Sequence, residues 1–328
     1  LQPPSDTNEF YEFLKALKQH EPDTYPLILR TPLMNPTGFI TLFVRAFTGL
    51  EGVIAMDPKD NTYKFAGYQD GFIDALHYMH RLFAEGLVDP EFALLTAAQW
   101  QERLMTGKST VTYFWKSDIP PLVANAKAAG ADEDFRLFAI PPFAAPGVQP
   151  YQFARPAVGN NGFAVSANVK DKEKAILFLD YLLSEEGLNY LALGLEGETY
   201  TIENGKALYN PEYGSTPYTI LRRDYGVWFQ TITLNNAISR DAWENAPDPD
   251  FQAIKKMYEG TIIPAPRGFV KTKEEIELEL SKLENLNQFF EQEITKFITG
   301  SVPVNENTVN TFLEQAKRLG VDELVEMY

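Results

Sequence analysis

Apolar side chains recur every three or four residues in several stretches of the chain, the spacing of one face of an α-helix. The stretches that predict helices are 5–18, 70–85, 99–105, 171–195, 272–298 and 308–319. Asp6 with Glu9 forms the capping pair that favours a helix start at the first stretch. Thr272 with Glu275 does the same at the longest stretch, so both helices are predicted with defined beginnings.

The apolar stripes also predict which side of each helix is buried. In the longest helix the predicted buried face consists of Ile276, Leu280, Leu283, Phe290, Ile294 and Phe297. In the helix that begins after Asp171 it consists of Ala175, Phe178, Leu179, Leu182 and Leu183. Both faces are expected to pack against a core.

Short apolar or alternating runs predict β-strands at 25–30, 109–115, 135–140 and 162–166. These runs alternate with helices through the first half of the chain, which predicts an α/β layered fold. The segment 142–160 is rich in Pro, Ala and Gly and predicts a loop that crosses between lobes.

Composition narrows the class of protein. With 328 residues, of which 45% are hydrophobic and 13% aromatic, the chain is long enough for one large domain or two lobes. Its formal net charge of −16 argues against nucleic acid or anionic lipid as a partner, because both attract basic surfaces. No cysteine is present, which excludes disulfides and thiolate chemistry. The chain opens at Leu1 without a methionine, as expected of a mature product or a trimmed fragment.

Motifs of enzyme chemistry are missing from the sequence. It contains no phosphate loop, no dinucleotide-binding glycine pattern and no nucleophile elbow. His77 and His80 are three residues apart on a predicted helix but lack a third ligand, so exposed helix histidines are the better interpretation. Adjacent acids such as Glu185 and Glu186 fit the dipole of a helix start better than a glycosidase pair. The sequence therefore predicts no catalytic residue, no metal ion and no cofactor.

Aromatic residues are the most informative candidates for a binding site. Trp115 ends the predicted strand 109–115 just before a loop, and sugars present apolar C–H faces that stack on such rings. From the residues alone, Trp115 is as well explained by the core as by a site, and Trp228 is better explained by the core.

Several segments, in their order and spacing, resemble the family-1 extracellular solute-binding proteins of bacterial ABC importers. The resemblance is closest to the large lipoprotein type of Gram-positive bacteria such as Paenibacillus and Bacillus. The segments are LFAEGLVDPEF (82–92), Trp100 with Leu104, Gly107 and Lys108, GFAVS (162–166), FLDYLLSEEG (178–187), GLEGETY (194–200), and KFITGSVP (296–303) with LGVD (319–322).

The resemblance implies an α/β, two-lobed periplasmic-binding-protein fold of type II with the ligand between the lobes. Members carry a long N-terminal region before the helix at Asp6, so the chain is expected to cover mostly the second lobe plus part of the first. We expect residues 1–158 in the second, C-terminal lobe and 159–200 as a return segment to the first. Residues 201–265 are then an irregular insertion near the hinge and cleft, and 266–328 are helices that pack on the second lobe.

The resemblance also implies site residues. The aromatic residue after Gly107-Lys108 faces sugar in such proteins, which favours Trp115 as a ligand contact. Asn160 and Asn161 lie at the expected crossing, Glu196 and Tyr200 in the lipoprotein-type loop, and Arg155 is suited to a uronate carboxylate. The predicted ligand-binding set is Tyr113, Trp115, Arg155, Asn160, Asn161, Glu196, Tyr200 and Trp228.

The function implied is capture of a carbohydrate, in particular an oligosaccharide, and its delivery to the permease subunits of an ABC importer. The protein is then an extracellular monomer, lipid-anchored at the cell surface in its full-length precursor, and not an enzyme. Two alternatives stay open at this point: a binding protein for another solute such as a peptide, and a glycoside hydrolase, which needs a facing pair of carboxylates.

Overall fold

The chain is divided into two structural units in a computed structural model that describes residues 2–115, 118–153, 163–213, 217–227, 249–264 and 270–328. Unit 1 consists of Leu1–Phe153 and Gly260–Tyr328, and unit 2 of Ala154–Glu259. The chain therefore leaves unit 1 after Phe153 and re-enters it at Gly260, which is the double crossing expected where one unit is inserted into another.

Unit 1 contains most of the helices. Its first part comprises α1 (Thr7–His20), α2 (Phe39–Thr48), β1 (Ile54–Asp57), β2 (Thr62–Phe65), a 3₁₀ turn (Ala66–Tyr68), α3 (Phe72–Ala84), α4 (Ala97–Met105), α5 (Ile119–Ala128) and β3 (Gln152–Phe153). After the insertion of unit 2 it continues with β6 (Ile262–Ile263), α10 (Lys273–Thr299), α11 (Glu306–Arg318) and α12 (Val321–Met327). No described helix combines the length and the apolarity needed to cross a bilayer.

Unit 2 is smaller, and its described elements are α6 (Lys172–Leu183), α7 (Glu185–Leu193), β4 (Tyr200–Glu203), β5 (Lys206–Tyr209), a 3₁₀ turn (Pro211–Tyr213), α8 (Pro217–Tyr225) and α9 (Pro249–Met257). Strands β4 and β5 form an antiparallel hairpin whose register joins Tyr200 to Tyr209. In unit 1, β1 pairs antiparallel with β2, and β3 pairs parallel with β6.

The predicted helix starts are confirmed by hydrogen bonds. Thr272 Oγ1 accepts from the Glu275 backbone N–H at 3.2 Å, while the Glu275 carboxylate accepts from Thr272 N–H at 2.6 Å, a complete capping box. Asp6 likewise caps α1, but the Glu9 carboxylate accepts from the backbone N–H of Ser5 instead of Asp6. Helix α1 begins at Thr7, directly after its Asp6 cap, whereas the predicted stretch began at residue 5.

The core of unit 1 forms where α10 lies against α3. Phe290 is fully buried on α10, and its ring centroid lies 5.9 Å from that of Phe72 on α3. Phe312 of α11 stacks on Phe72 at 5.8 Å, which ties the C-terminal helices to the N-terminal part of the unit. Burial of such rings is the main stabilising term for a helix-rich unit.

The two predicted apolar stripes are buried to different extents. Along α10, burial is strong from Leu286 onwards, whereas Ile276 is 43% and Leu280 75% exposed, because the first turns of the helix extend past the core. Helix α6 buries none of its side chains in the described structure, and Phe178 is 60% exposed. The prediction that the apolar face of α6 is buried in a core is therefore wrong for the described structure.

The predicted strands near the N-terminus are shorter than expected. The segments 25–30 and 109–115 run parallel and share several backbone hydrogen bonds, but Leu27 forms only an isolated bridge to Val111, and another to Val88 of a third segment. Ile28 N–H donates to the Val111 carbonyl at 2.9 Å. Pro26 has no N–H to continue the ladder, which limits the pairing. The run 135–140 forms no strand either, and Phe138 is 80% exposed. Residues 163–166 of the run 162–166 are also not a strand.

Candidate ligand-binding site

Three parallel segments of unit 1 end close together, and the best candidate for a binding surface lies at those ends. The segments run through Leu27, Val88 and Val111 and are joined by the bridges described above. Ligands of open α/β folds collect at the carboxyl ends of such segments, because the loops that follow them converge there. The loop after Val111 leads to Trp115, which is 56% exposed.

Trp115 is carried by a segment whose other aromatic ring is firmly anchored. Phe114 packs against the buried Trp100 of α4, with ring centroids 4.7 Å apart. Trp100 Nε1 donates to Thr112 Oγ1 at 3.0 Å, so its ring is fixed at both ends. These contacts hold the backbone that carries Trp115, so a ligand does not have to order that backbone when it binds.

Tyr113 is held from the opposite side of the same segment. Arg45 of α2 donates from Nη2 to the Tyr113 hydroxyl at 2.6 Å, and its guanidinium lies 5.5 Å from the Tyr113 ring centroid. Arg45 Nη1 is 3.4 Å from a Glu51 carboxylate oxygen. Burial opposes the charge on Arg45, but Tyr113 and Glu51 outweigh it and keep the pKa of Arg45 raised.

A second ion cluster stabilises the neighbouring segment end. Asp89, which follows Val88 and is 2% exposed, pairs with Arg103 of α4, and Arg103 also pairs with Glu91. Desolvation works against the Arg103 charge, yet the hydrogen bonds to the two carboxylates raise its pKa. This cluster ties α4, and with it Trp100, to the edge that presents Trp115.

In unit 2, the loop that contains Glu196 and Tyr200 is compact. Gly197 N–H donates to the Tyr200 carbonyl at 2.8 Å, and the side chain of Thr199 accepts from Leu195 N–H at 2.7 Å. The Tyr200 ring is only 6% exposed, and burial, followed by the charge of Glu196, raises its pKa. Glu196 is exposed. The ligand-binding role of both residues stays a prediction.

The structure thus brings Tyr113 and Trp115 together in unit 1 and Glu196 and Tyr200 together in unit 2. Arg155, Asn160, Asn161 and Trp228 lie outside the described residues. Arg45 was missed by the sequence analysis, although a single charge in the apolar run FITLFVRAFT is a usable signal, since a buried charge requires a partner.

The histidines do not form a metal site. His77 is exposed on α3, and His80 Nδ1 lies 3.0 Å from the Ile298 carbonyl at the end of α10, where it caps the helix. Within the described ranges, no three His, Asp or Glu side chains are grouped so that they can hold a metal ion.

A separate open cavity of about 690 Å³ lies on unit 1 between α1, the end of α2 and the start of α3. Neither Trp115 nor Tyr113 lines it. Its charged lining mixes acids and bases, namely Asp57, Asp70, Asp74, Lys59, His77 and Arg81. This balance gives no clear preference for a ligand of either charge.

Comparison with known proteins identifies the class. Residues 1–189 match the family model of bacterial extracellular solute-binding proteins, and the chain belongs to that family. Its members are the binding components of ABC importers. A protein encoded 5′ of butB in Niallia circulans is 25% identical over 252 residues, which cover 70% of this chain and 87% of that protein. Lipoprotein LipO of Bacillus subtilis is 26% identical over 117 residues, 34% of this chain and 23% of LipO.

Solved structures show the type II periplasmic-binding fold. The alginate-binding protein AlgQ2 superposes with a TM-score of 0.73 at 21% identity, covering 100% of this chain and 68% of AlgQ2. An extracellular solute-binding protein from Bifidobacterium longum subsp. infantis gives a TM-score of 0.70 at 15% identity, with 100% and 69% covered. FusA of S. pneumoniae, solved with fructo-nystose, gives 0.68 at 15% identity, with 99% and 67% covered.

Proposed function

We propose that this protein captures an oligosaccharide outside the cell and delivers it to the permease subunits of an ABC importer. The observation that carries the proposal is the position of Trp115, which is exposed at the edge where the parallel segments of unit 1 end. A large exposed ring on an anchored segment matches the apolar face of a sugar, and polar neighbours such as Tyr113 match its hydroxyls.

The identity of the similar structures supports the choice of ligand class. AlgQ2 is named for alginate, FusA was solved with fructo-nystose and with kestose, and a sugar transporter from Arthrobacter chlorophenolicus was solved with laminaribiose. At 13–21% sequence identity, what these proteins share with this chain is the fold.

The proposed ligand contacts are the residues predicted from the sequence, taken for each unit by itself. Tyr113 and Trp115 of unit 1 supply a hydroxyl and a stacking surface, and Arg155, Asn160, Asn161 and Trp228 add polar and aromatic groups. Glu196 and Tyr200 of unit 2 complete the set. Arg155 extends the range of ligands to sugars that carry a carboxylate.

We also propose that the two lobes of the fold follow the sequence ranges given above, with 1–158 and 266–328 in the second lobe. The packing of α10 and α11 on the N-terminal part of unit 1 supports this assignment. In the full-length precursor, a lipid anchor at the cell surface is proposed from the likeness to LipO.

A thermal-shift assay on the full-length protein tests the function. We expect an alginate oligosaccharide, kestose or laminaribiose to raise the melting temperature in a concentration-dependent way, because a ligand that binds only the folded state stabilises it. A mixed peptide library serves as the control. A shift with peptides and with none of the sugars would contradict the proposal, as would hydrolysis of any of the sugars by the protein.

A further inference from the structure

We infer that Tyr113 donates its phenolic proton to an acceptor oxygen of the bound sugar, and that Arg45 is the positioning residue that fixes this direction. The inference rests on the proposed function and adds a specificity-determining contact to it.

The direction of the hydrogen bond between Arg45 and Tyr113 follows from chemistry. A guanidinium group has five N–H donors and no acceptor. The contact of 2.6 Å between Arg45 Nη2 and the Tyr113 hydroxyl therefore uses the hydroxyl oxygen as an acceptor. The proton of the hydroxyl then has to point away from Arg45.

Within the described part of the chain, that proton has no acceptor: the hydroxyl of Tyr113 makes a hydrogen bond to Arg45 and to no other described residue. The Tyr113 side chain is half-buried at the margin of the unit 1 core, and the exposed Trp115 follows two residues later on the same segment. A hydroxyl with a fixed, unused proton next to the exposed Trp115 is suited to an oxygen of a stacked sugar, whether hydroxyl, ring or carboxylate oxygen.

Arg45 is itself held tightly enough to set this direction. Its side chain is 13% exposed and is fixed by Glu51 at 3.4 Å on one side and by the face of the Tyr113 ring on the other. The cation also polarises the phenol, since a hydroxyl that accepts from a charged donor becomes a stronger donor. The arrangement therefore fixes the orientation of the donor before the ligand arrives.

Tyr151 offers a matched control in the same neighbourhood. It is 6% exposed, and its hydroxyl donates to the Gly49 carbonyl at 2.8 Å, so its proton is already used by the backbone. Removing the Tyr151 hydroxyl should lower the melting temperature without changing the affinity for sugar.

The test is a double-mutant cycle on the full-length protein, read by calorimetry with the sugar that gives the largest shift among the alginate oligosaccharide, kestose and laminaribiose. We expect Tyr113→Phe to weaken binding by about 3- to 10-fold, the usual effect of one hydrogen bond. Arg45→Met should weaken binding similarly, and the double variant should bind no more weakly than Arg45→Met alone. Arg45→Lys, which keeps a donor to the hydroxyl, should recover part of the affinity.

The outcomes separate this inference from the proposed function. If none of the three sugars binds the unaltered protein, both are overturned. If sugar binds and Trp115→Ala weakens it while Tyr113→Phe does not, the function stands and the role of Tyr113 is overturned. If the effects of the Arg45 and Tyr113 variants simply add, Arg45 does not position Tyr113. Should Arg45→Met fail to fold, Tyr113→Phe with Tyr151→Phe as the control still decides the matter.

Discussion

Trp115 illustrates that the type of a residue does not by itself determine whether the residue is buried or exposed. A tryptophan at the end of an apolar run is equally consistent with a core or a site, and the exposed fraction of 56% excludes a core position for Trp115. Trp100, fifteen residues earlier, has the same chemistry and is 2% exposed. The difference arises because Trp100 lies on a helix that packs inward, whereas Trp115 lies where the chain leaves the parallel segments.

Replacement of Trp115 by Ala in the full-length protein should weaken sugar binding by about ten-fold or more. The reason is that stacking and burial of a ring contribute about 1.5 kcal/mol, which corresponds to that factor in the dissociation constant. Isothermal calorimetry measures the effect, and circular dichroism checks that the fold is retained. Because the ring is exposed, the melting temperature without ligand should hardly change; unchanged affinity would remove Trp115 from the site.

Helix α10 shows the limit of an apolar stripe as a guide to burial. The spacing of its apolar residues is continuous from Ile276 to Phe297, and the sequence offers no reason to divide it. In the structure, Phe290 is fully buried whereas Leu280 is 75% exposed. The helix is longer than the core is wide, so its first turns extend past the core. The sequence sets the length of the helix, but the fold sets the width of the core.

Two substitutions on α10 measure this difference within one helix. Phe290→Ala should destabilise unit 1 by about 3–5 kcal/mol, since it removes a ring from a closely packed core. Leu280→Ala should change the free energy of unfolding by less than about 0.5 kcal/mol, because the side chain is already in water and Ala favours the helix. Denaturant unfolding of the 328-residue chain gives both values. Equal losses of unfolding free energy in the two variants would contradict the difference in burial between Phe290 and Leu280.

The hairpin of β1 and β2 provides a pH-dependent element. Lys64 pairs with Asp57 at 2.7 Å and with Asp60 at 2.6 Å. Hydrogen bonds from Lys64, and then from Thr62, lower the pKa of Asp60 from 3.8 to about 2. A lowered carboxylate pKa adds stability that is present above pH 3.8 and is lost as the pH falls through about 2.

Lys64→Met should therefore reduce the dependence of hairpin stability on pH between about 4 and 2. The chemical shift of the Asp60 carboxyl carbon, followed by NMR through the titration, reports its midpoint. In the variant the midpoint should move up towards the value of an ordinary aspartate. Lys59→Met, a change to a neighbouring lysine of the same turn outside this ion pair, serves as the control and should leave the midpoint in place. An equal midpoint in all three proteins would contradict the role of Lys64.

At the level of the whole molecule, the local signals of the sequence were sufficient for much of the architecture. The caps at Asp6 and Thr272 and the amphipathic stretches located most of the long helices, because helix starts and helix faces depend on residues a few positions apart. Helix α2 was not predicted, because a short and nearly continuous apolar run does not distinguish a buried helix from a buried strand. The hairpins β1–β2 and β4–β5 were not predicted, because each strand has only four residues and the alternation of apolar and polar residues is too short to recognise.

The strand predictions failed for a different reason. A strand exists only with a partner, and the sequence of 135–140 contains no information about whether one lies beside it. The proline at position 26 likewise limits a ladder whose other members, Val88 and Val111, are distant in sequence. For the same reason the exposed apolar face of α6 was not foreseen: periodicity shows that a face is apolar but not what covers it.

The sequence alone determined the positions of most long helices, the lack of thiol chemistry, the acidic charge and, through ordered segments, the resemblance to solute-binding proteins. Tertiary structure decided which apolar residues are buried, that Trp115 is exposed while Trp100 is not, and that Arg45 reaches Tyr113 from 68 residues away along the chain. Local patterns depend on residues that are neighbours in the sequence, so they can be predicted from the sequence. A binding site depends on groups that meet only after the chain has folded.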